Sequence, residues 1–244
     1  TNMGLTAEKL ISQTDFTRED IDRWGAQSHQ RAAKARSEGF FDEEIFPIAA
    51  EQADGKTLTV DQDQAVREDA TVEGMASLRP AFKPDGVITA GNSSPLNAAA
   101  TSMLLMSKET AKKKDIKPLA TIRSIGFAGV DPTIMGQGPV PASKKALEKA
   151  GLRAAEIDFW EINEAFCIVA LNCIQELGLD PQKVNVMGGG TAIGHPLGAT
   201  GIRLTGTLAR ILNLKGARYG CANACVGGGQ GVATIIEREE YEWC

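Results

Sequence analysis

Residues 185–201 read NVMGGGTAIGHPLGATG, and the interpretation of the whole chain starts from this stretch. The pattern predicts a short strand, a loop with six glycines, and a helix over residues 200–212. Glycine allows tight turns and lets the backbone approach a ligand where a Cβ atom would clash. His195, one of two histidines in the chain, lies in this loop, and Pro196 restricts its backbone. A lone histidine or a lone glycine-rich loop is usually a packing residue or a turn, so the stretch needs support from elsewhere.

Two further segments place reactive side chains in the same half of the chain. Residues 163–166 read NEAF, and residues 225–231 read CVGGGQG. Cys225 stands on a glycine-flanked bend, where a thiol with an ordinary pKa near ~8.5 can serve as nucleophile or as acid and base beside a histidine. The alternative for Cys225 is an inert buried cysteine. Three such segments are hard to explain by packing, so we expect one site built from Asn163, His195 and Cys225.

In this order, the NEAF segment, the Gly-His-Pro loop and the Cys-x-Gly segment resemble the later half of the thiolase family of acyl-CoA C-acyltransferases. The similarity runs from Met3 to Glu237, nearly the whole chain. The resemblance implies an α/β, thiolase-like layered fold with a complete second core half, a partial first half and a partial loop or lid domain. It also implies three boundaries: residues 1–84 for part of the lid domain, 85–118 for the closing segment of the N-terminal half, and 119–244 for the C-terminal half.

The resemblance further implies a division of catalytic labour. In thiolases a nucleophilic cysteine takes the acyl group from the thioester, and it lies in an N-terminal segment that would precede this chain. His195 would deprotonate that nucleophile and help bind the thioester oxygen, while Asn163 would hold the water that completes this oxyanion hole. Cys225 would remove or return the α-proton, and the N–H of Gly227 would contribute to a second oxyanion hole. Glu164 is expected to orient the loop or the asparagine.

The coenzyme contacts follow from the same resemblance. Ser94 and Arg67 match positions where thiolases contact coenzyme A, and an arginine suits phosphate because its guanidinium donates paired hydrogen bonds. Met3 and Phe166 would line the acyl or pantetheine channel, with ordinary core packing as the alternative. Coenzyme A and acyl-CoA are implied as substrates, with no tightly bound cofactor and no metal. The chain departs from the family pattern at Ala98, where an aspartate usually follows the asparagine.

The implied reaction is the reversible Claisen condensation or thiolytic cleavage of a 3-oxoacyl-CoA. Since no residue of the chain replaces the acylated cysteine, we expect this chain alone to be inactive and to need an N-terminal thiolase segment or a second polypeptide. A fragment, a nicked product and a split subunit all fit, and the resemblance implies a homo-oligomer for the intact protein. The alternative is a noncatalytic partner that binds acyl-CoA or shapes an oligomer. A dinucleotide enzyme is disfavoured because the loop lacks the G-x-G-x-x-G order.

Composition excludes several classes of protein. The hydrophobic share of 43% and the charged share of 23% are ordinary for globular proteins, and 244 residues suffice for one large or two small domains. A net charge of −5 argues against nucleic-acid binding, and we expect no membrane span and no secretory signal. The cysteines form no zinc pattern and indicate reduced thiols in the cytoplasm: Cys167, Cys173, Cys221, Cys225 and Cys244.

Local patterns predict the remaining elements. A helix begins near Thr17 with a near capping box at Asp20 and ends at Gly39. Its buried stripe comprises Ile21, Trp24, Ala32 and Ala35, whereas His29 is expected on the helix surface. Further helices are predicted at residues 3–10, 96–107, 142–150 and 164–177. Strands are predicted at residues 45–48, 57–60, 87–91, 118–127, 157–162, 184–187, 217–224 and 231–236. The alternation after residue 118 indicates one layered α/β unit.

Overall fold

Eight α-helices and six β-strands span residues 2–238, the part of the chain that the computed structural model describes. The helices are α1 (Met3–Ile11), α2 (Arg18–Ser37), α3 (Val72–Ala76), α4 (Lys108–Lys113), α5 (Pro139–Ala150), α6 (Cys167–Leu177), α7 (Gly190–Ile193) and α8 (Thr200–Lys215). The strands are β1 (Ile48–Glu51), β2 (Thr57–Val60), β3 (Thr121–Gly129), β4 (Phe159–Ile162), β5 (Tyr219–Val226) and β6 (Gln230–Glu237). Short 3₁₀ helices lie at Phe40–Glu43, Ala90–Asn92, Pro132–Gln137, Ala154–Glu156 and Pro181–Lys183.

Four of the strands form one mixed sheet with the order β3-β6-β5-β4. β4 runs parallel to β5, with Ile162 beside Asn223, while β6 is antiparallel to both β3 and β5. The β5–β6 hairpin turns through glycines because Gly228 and Gly229 have φ values of 89° and 81°, which other residues rarely adopt. The predicted strand pair at the end of the chain is therefore confirmed.

Helices cover both faces of this sheet. Cys221 and Ile235 face the main apolar core, to which α1, α5 and α6 contribute, whereas Ala222 and Ile236 pack with Leu208 of α8. Successive residues of a strand point to opposite faces, so these two groups occupy opposite sides of the sheet. The sheet thus lies between helical layers, as predicted for an α/β unit.

The second helix, α2, agrees with its prediction except at His29. Thr17 and Asp20 form the full capping box, and the four residues of the predicted stripe are buried. The surface position predicted for His29 is wrong, since its side chain is only 5% exposed. The loop before α3 folds over this side of α2, and Nδ1 of His29 accepts a hydrogen bond from the backbone N–H of Arg67 at 3.1 Å. Burial lowers the pKa of His29.

The predicted strand at residues 87–91 is wrong, although Ile88 is fully buried. The carboxylate of Glu8 accepts hydrogen bonds from the N–H groups of Val87 and Ile88, at 3.0 Å and 2.9 Å. A neighbouring strand would normally satisfy these groups. A 3₁₀ turn capped by the Thr89 side chain then follows at once. A carboxylate that is remote in the sequence therefore replaces sheet pairing here.

The predicted helix at residues 96–107 is also wrong, because residues 94–107 form no regular element and α4 begins only at Lys108. Two leucines of this run, Leu104 and Leu105, are 76% and 66% exposed. An isolated helix of about 12 residues is marginal in water without a packing surface. Residues 2–238 leave Leu104 and Leu105 largely exposed to solvent, so the helical pattern alone does not suffice.

A strand is likewise missing at residues 184–187, where Val184 makes a single bridge to Trp160. Asn185 then adopts a φ of 49°, which ends the extended conformation. Its side-chain amide donates to the carbonyl oxygen of Ile162 at 2.9 Å and accepts from the N–H of the same residue at 2.8 Å. The Asn185 side chain thus pairs with β4 as the backbone of a strand would.

The first strand is displaced from its predicted position. β1 begins at Ile48 instead of residue 45, because the N–H of Ile45 donates to the carbonyl oxygen of Phe41 at 2.9 Å and Pro47 lacks a donor. The other predicted elements are present with shifted ends; α6, for example, begins at Cys167 and not at residue 164. Within the described residues, no helix combines the length and the apolar character that crossing a membrane requires.

Candidate active site

Asn163 and Cys225 lie at the same edge of the mixed sheet. Asn163 follows β4, and its backbone N–H donates to the carbonyl oxygen of Asn223 in β5 at 2.9 Å. Cys225 lies two residues farther along β5, which runs parallel to β4. Oδ1 of Asn163 lies 3.3 Å from the position that a Cβ on Gly190 would occupy, so the loop that leads to His195 reaches this edge too. The segments that carry Asn163 and Cys225 thus end at one edge of the sheet, and the loop that leads to His195 passes beside Asn163.

The side chain of Asn163 is fully buried, and neither its Oδ1 nor its Nδ2 has a hydrogen-bond partner. Most buried polar groups in native proteins are hydrogen-bonded to protein or ordered water. An unpartnered buried amide at a sheet edge is therefore suited to hold a water or a ligand atom.

Glu164 holds the surroundings of Asn163 in place. Its buried carboxylate accepts four hydrogen bonds, between 2.7 Å and 3.1 Å long, from the side chains of Trp24, Ser28 and Asn185 and from the N–H of Thr191. Ser28 in turn accepts from the N–H of Gly189 at 2.9 Å. A Cβ atom on Gly189 would overlap the carboxylate, so this position requires glycine. Glu164 thus joins α2 to the glycine-rich loop, in agreement with the orienting role expected of it.

Thr200, the first residue of α8, fixes the tautomer of His195. Its hydroxyl oxygen lies 2.7 Å from Nδ1 of the imidazole. The same hydroxyl lies 2.9 Å from the carbonyl oxygen of Pro196, which can only accept, so both contacts are made together only when the hydroxyl donates to Pro196 and accepts from His195. In neutral His195, Nδ1 therefore carries the proton and Nε2 keeps its lone pair. The imidazole presents a base at Nε2.

Two effects lower the pKa of His195 below its ordinary value of 6.5: the burial of the imidazole first, and then the positive charge of Arg203. At pH 7 the ring is therefore neutral and able to accept a proton. Because the folded chain disfavours the imidazolium relative to the unfolded chain, His195 lowers folding stability as the pH falls below 6.5.

Replacing Thr200 with valine should release the tautomer of His195. Valine keeps the shape of the side chain but removes the acceptor for the Nδ1 proton, a hydrogen bond worth about 1 kcal/mol, or roughly a fivefold change in tautomer ratio. ¹⁵N NMR of the imidazole nitrogens, at a pH where His195 is neutral, measures that ratio, and only two histidines contribute signals. Thr205→Val, farther along α8, is the control. An unchanged Nδ1–H population in Thr200→Val would contradict the assignment.

Cys225 lies opposite Gly231 in the β5–β6 register, with its side chain buried. Burial raises the pKa of its thiol to about 12, so the sulfur is protonated at pH 7. A Cβ on Gly231 would overlap the backbone of Gly138, which shows how closely this hairpin packs against the start of α5. The three other described cysteines are buried with raised pKa values: Cys167, Cys173 and Cys221. Cys244 lies outside the described residues.

The predicted channel residues Met3 and Phe166 differ in their surroundings. Sδ of Met3 lies 3.8 Å from the position of a Cβ on Gly227, an exposed glycine that follows β5. Phe166 is buried, and its ring packs edge-to-face on Phe82 with 5.9 Å between the ring centroids. Met3 therefore borders the predicted second oxyanion hole, whereas Phe166 packs in the core.

The two predicted coenzyme contacts occupy different places. The N–H of Ser94 donates to the carbonyl oxygen of Ala165 at 3.0 Å, which sets Ser94 beside the NEAF segment. Arg67 is exposed in the loop before α3, where His29 binds its backbone N–H. Ser94 thus adjoins the NEAF segment, while Arg67 belongs to a separate loop. Among residues 2–238, no group of three or more His, Cys, Asp or Glu side chains is arranged to hold a metal ion.

Sequence reasoning missed two residues that support His195. One is Thr200, for which a hydroxyl residue at the predicted helix start, five positions after His195, was an available indication. The other is Asn97, whose Nδ2 donates to the carbonyl oxygen of Ile193 at 3.4 Å and would collide with a Cβ on Gly194. Asn97 therefore packs on the turn immediately before His195. Its sequence position gives no hint of this contact, since 96 residues separate Asn97 from Ile193.

Two family models match the chain: the N-terminal domain of thiolase over residues 1–109 and the C-terminal domain of thiolase over residues 116–238. The 3-ketoacyl-CoA thiolase of Marinobacter nauticus is 47% identical over 240 residues, which cover 97% of this chain and 61% of that protein. The 3-ketoacyl-CoA thiolase of Salmonella typhimurium is 48% identical, over 97% of this chain and 62% of that protein. The chain thus spans about three-fifths of the length of these relatives.

Solved structures agree with the sequence comparisons. The acetyl-CoA acetyltransferase of Bacillus anthracis has a TM-score of 0.94 and 46% identity, over 97% of this chain and 60% of that one. Human mitochondrial 3-ketoacyl-CoA thiolase in complex with CoA has a TM-score of 0.87 and 40% identity, over 98% of this chain and 59% of that one. The predicted layered α/β fold is thereby confirmed.

Proposed function

The chain belongs to the thiolase family, and we propose that it carries part of the site of an acyl-CoA C-acyltransferase. The reaction is the reversible Claisen condensation, or the thiolytic cleavage, of a 3-oxoacyl-CoA. One observation carries the proposal: the fully buried amide of Asn163 has no partner for either polar atom and lies beside the loop that leads to His195. Such a group can complete an oxyanion site by holding a water that donates to the substrate oxygen.

His195 and Asn163 form the first oxyanion hole in this proposal. Nε2 of His195 takes the proton of the thiol that attacks the thioester, and the resulting Nε2–H then donates a hydrogen bond to the thioester oxygen. The water held by Asn163 donates the second hydrogen bond to the same oxygen, where the enolate charge develops. Each preorganised donor of this type is worth ~10²–10³ in rate. The Nδ1–H tautomer supports this role because it leaves Nε2 free.

In this proposal, Cys225 removes or returns the α-proton of the acetyl group. In the cleavage direction the carbon–carbon bond breaks, the electron pair remains as the acetyl-CoA enolate, and the Cys225 thiol protonates its α-carbon. In the condensation direction Nε2 of His195 takes the thiol proton, and the resulting thiolate removes the α-proton. The pKa of about 12 at Cys225 supports proton donation from the resting state. The exposed N–H of Gly227 would stabilise the tetrahedral intermediate in the second hole.

Ser94, Arg67, Met3 and Phe166 remain our candidates for binding coenzyme A and the acyl chain, which act as substrates with no tightly bound cofactor. Ser94 is supported as a candidate by its position beside the NEAF segment, and Met3 by its position beside Gly227. The human relative was solved in complex with CoA. The free state of the described cysteines supports a reducing compartment such as the cytoplasm.

We further propose that an N-terminal segment or a second polypeptide supplies the acylated cysteine. Besides Cys225, the described thiols are buried with raised pKa values, which disfavours the nucleophilic thiolate: Cys167, Cys173 and Cys221. The exposed apolar run at residues 96–107 supports the proposal, because such a segment would cover it. Residues 1–84 would then belong to the lid domain, 85–118 would close the N-terminal half, 119–244 would form the C-terminal half, and the intact protein would be a homo-oligomer.

Exchange of the acetyl protons of acetyl-CoA in D₂O tests this function without the acylated cysteine. The exchange needs only enolate formation, so the 244-residue chain should catalyse it, with deuterium measured by mass spectrometry. Cys225→Ala should lower the rate by about 10²-fold or more, because the α-proton loses its acceptor. Cys221→Ala is the matched control, since this second thiol of β5 is buried and its pKa is also raised to about 12.

The outcomes separate the two readings of the chain. Exchange that Cys221→Ala keeps and Cys225→Ala loses supports the catalytic proposal. Binding of acetyl-CoA without exchange would instead favour a noncatalytic acyl-CoA-binding partner. Thiolysis of acetoacetyl-CoA by the 244-residue chain alone would contradict the need for a separate acylated cysteine.

A further inference from the structure

A pair of buried ionisable side chains, Glu161 and Arg203, lies next to the candidate site, and burial raises the pKa of Glu161 to about 8. Both carboxylate oxygens of Glu161 and all three guanidinium nitrogens of Arg203 are buried without a hydrogen-bond partner. Nη1 of Arg203 lies 3.9 Å from Oε2 of Glu161, an ion pair that is too long for a direct hydrogen bond. Buried ionic groups are costly unless they are paired, so their retention at this place calls for a reason.

Arg203 connects the two elements that carry the proposed catalytic residues. It follows Thr200 by three positions on α8, which makes the two residues neighbours on the helix surface, and Thr200 binds His195. Glu161 lies in β4, two residues before Asn163. The ion pair therefore spans the gap between the first turn of α8 and the end of β4.

Two further acids face Arg203 from other parts of the chain. Burial raises the pKa of Glu44 and of Asp63, and the positive charge of Arg203 is among the effects that oppose it in both cases. Glu44 also accepts a hydrogen bond from the hydroxyl of Thr207 at 2.8 Å. Asp63 lies in the loop that carries Arg67. Arg203 is thus one cation of a charged cluster that reaches the sheet, α8 and the proposed coenzyme loop; Arg210 also acts on Glu44 and Arg36 on Asp63.

We propose that Arg203 is a positioning residue for the thiolase reaction: through Glu161 and the first turn of α8, it fixes His195 relative to Asn163. The inference rests on the proposed function for its chemistry. Arg203 acts by holding β4 and α8 in register, so that the imidazole and the amide meet the same substrate oxygen. Its guanidinium is a rigid plane, whereas the lysine ammonium is a point charge on a flexible stem that would span the gap between β4 and α8 less firmly.

The test compares Arg203→Met and Arg203→Lys with Arg210→Met. Arg210 is the matched control because it lies two turns farther on α8 and is comparably buried. It pairs with Glu43 at 3.0 Å and donates to the carbonyl oxygen of Phe40 at 2.9 Å. Arg210 also pairs with Glu44 at 3.3 Å, so its loss disturbs Glu44 while the contact between Arg203 and Glu161 stays in place.

The first readout is the NMR titration of the histidines in the 244-residue chain, which requires no catalysis. In Arg203→Met, the pKa of His195 should rise toward 6.5, because a nearby positive charge is gone. His29 should keep its titration in all variants, and Arg210→Met should shift neither histidine. The second readout is acetyl-CoA proton exchange. Here Arg203→Met should lower kcat by about 10²-fold with KM for acetyl-CoA nearly unchanged, the loss typical of a misplaced catalytic group.

Arg203→Lys keeps the proposal testable should the methionine variant fail to fold. It retains the charge, so the His195 titration should stay close to that of the wild type, while the exchange rate still falls. Wild-type exchange in Arg203→Lys, or an equal loss of exchange in Arg210→Met, would overturn the positioning role. A wild-type chain without exchange would instead overturn the proposed function. The titration then decides alone, since an unchanged His195 in Arg203→Met would refute the coupling and a raised pKa would support it.

Discussion

The rate of acetyl-CoA proton exchange is expected to fall by about 10³-fold when asparagine replaces His195. In the proposed mechanism of exchange, Nε2 of the imidazole would take the proton of Cys225 and then donate it to the enolate oxygen, so the variant would lose both a base and a donor. Asparagine keeps a side-chain acceptor and donor of similar size but has no site that accepts a proton at neutral pH. The measurement is deuterium incorporation at saturating acetyl-CoA.

The second histidine supplies the control for this prediction. His29→Asn keeps an acceptor for the N–H of Arg67 and should retain most of the exchange rate at saturating acetyl-CoA. The wild-type rate should also fall in acid, once the pH drops below the lowered pKa of His195 and its Nε2 is already protonated. A His195→Asn rate close to that of the wild type would exclude this residue from the reaction.

The largest expected effect on folding follows from replacing Glu164 with alanine. Four donors would lose their buried acceptor: Trp24, Ser28, Asn185 and the N–H of Thr191. Buried donors without a partner cost free energy, and breaking a buried charged network of this kind costs about 3–5 kcal/mol. For a chain of this size, that loss corresponds to a decrease in Tm of roughly 10 °C. Urea unfolding followed by circular dichroism gives the free energy of unfolding directly.

Two further variants serve as a control and as an intermediate case for the measured free energy of unfolding. Glu176→Ala removes an exposed carboxylate from α6 and should change the free energy of unfolding by less than about 0.5 kcal/mol. Glu164→Gln keeps one oxygen acceptor and should lie between the alanine variant and the wild type. Equal stability of Glu164→Ala and Glu176→Ala would show that the carboxylate does not hold α2 against the glycine-rich loop.

The sequence predicted those elements whose ends are set by neighbouring residues. Thr17 and Asp20 cap α2, and the helices α5 and α6 end at Gly151 and Gly178, which both adopt positive φ. Where prediction failed at His29 and near Ile88, the deciding contact came from a distant part of the chain. Glu8 satisfies the backbone of a segment that reads as a strand near Ile88, and no local pattern reveals this. The helix predicted at residues 96–107 is absent for a different reason, since its stability would depend on a packing surface.

In the candidate site, too, some residues were predictable from the sequence and others only from the folded chain. The residue types of Asn163, His195 and Cys225 suggested their chemistry, because few side chains can serve as base, donor or thiol. The supporting residues were not predictable in this way. Thr200 is an ordinary helix-start residue until its hydroxyl is seen to bond both Pro196 and the imidazole. The relation of Arg203 to the site depends on β4 and α8 being adjacent, which only the folded chain defines.

The carboxamide of Asn185 has a consequence beyond the site. An exposed strand edge with free N–H and C=O groups is a template on which another chain can add a strand and start an aggregate. On β4 the side chain of Asn185 occupies both groups of Ile162, so part of this template is closed. The bridge from Val184 and the backbone N–H of Asn185, which donates to the carbonyl oxygen of Trp160 at 2.9 Å, cover the preceding part of this edge, so the amide completes a border that cannot itself propagate the sheet.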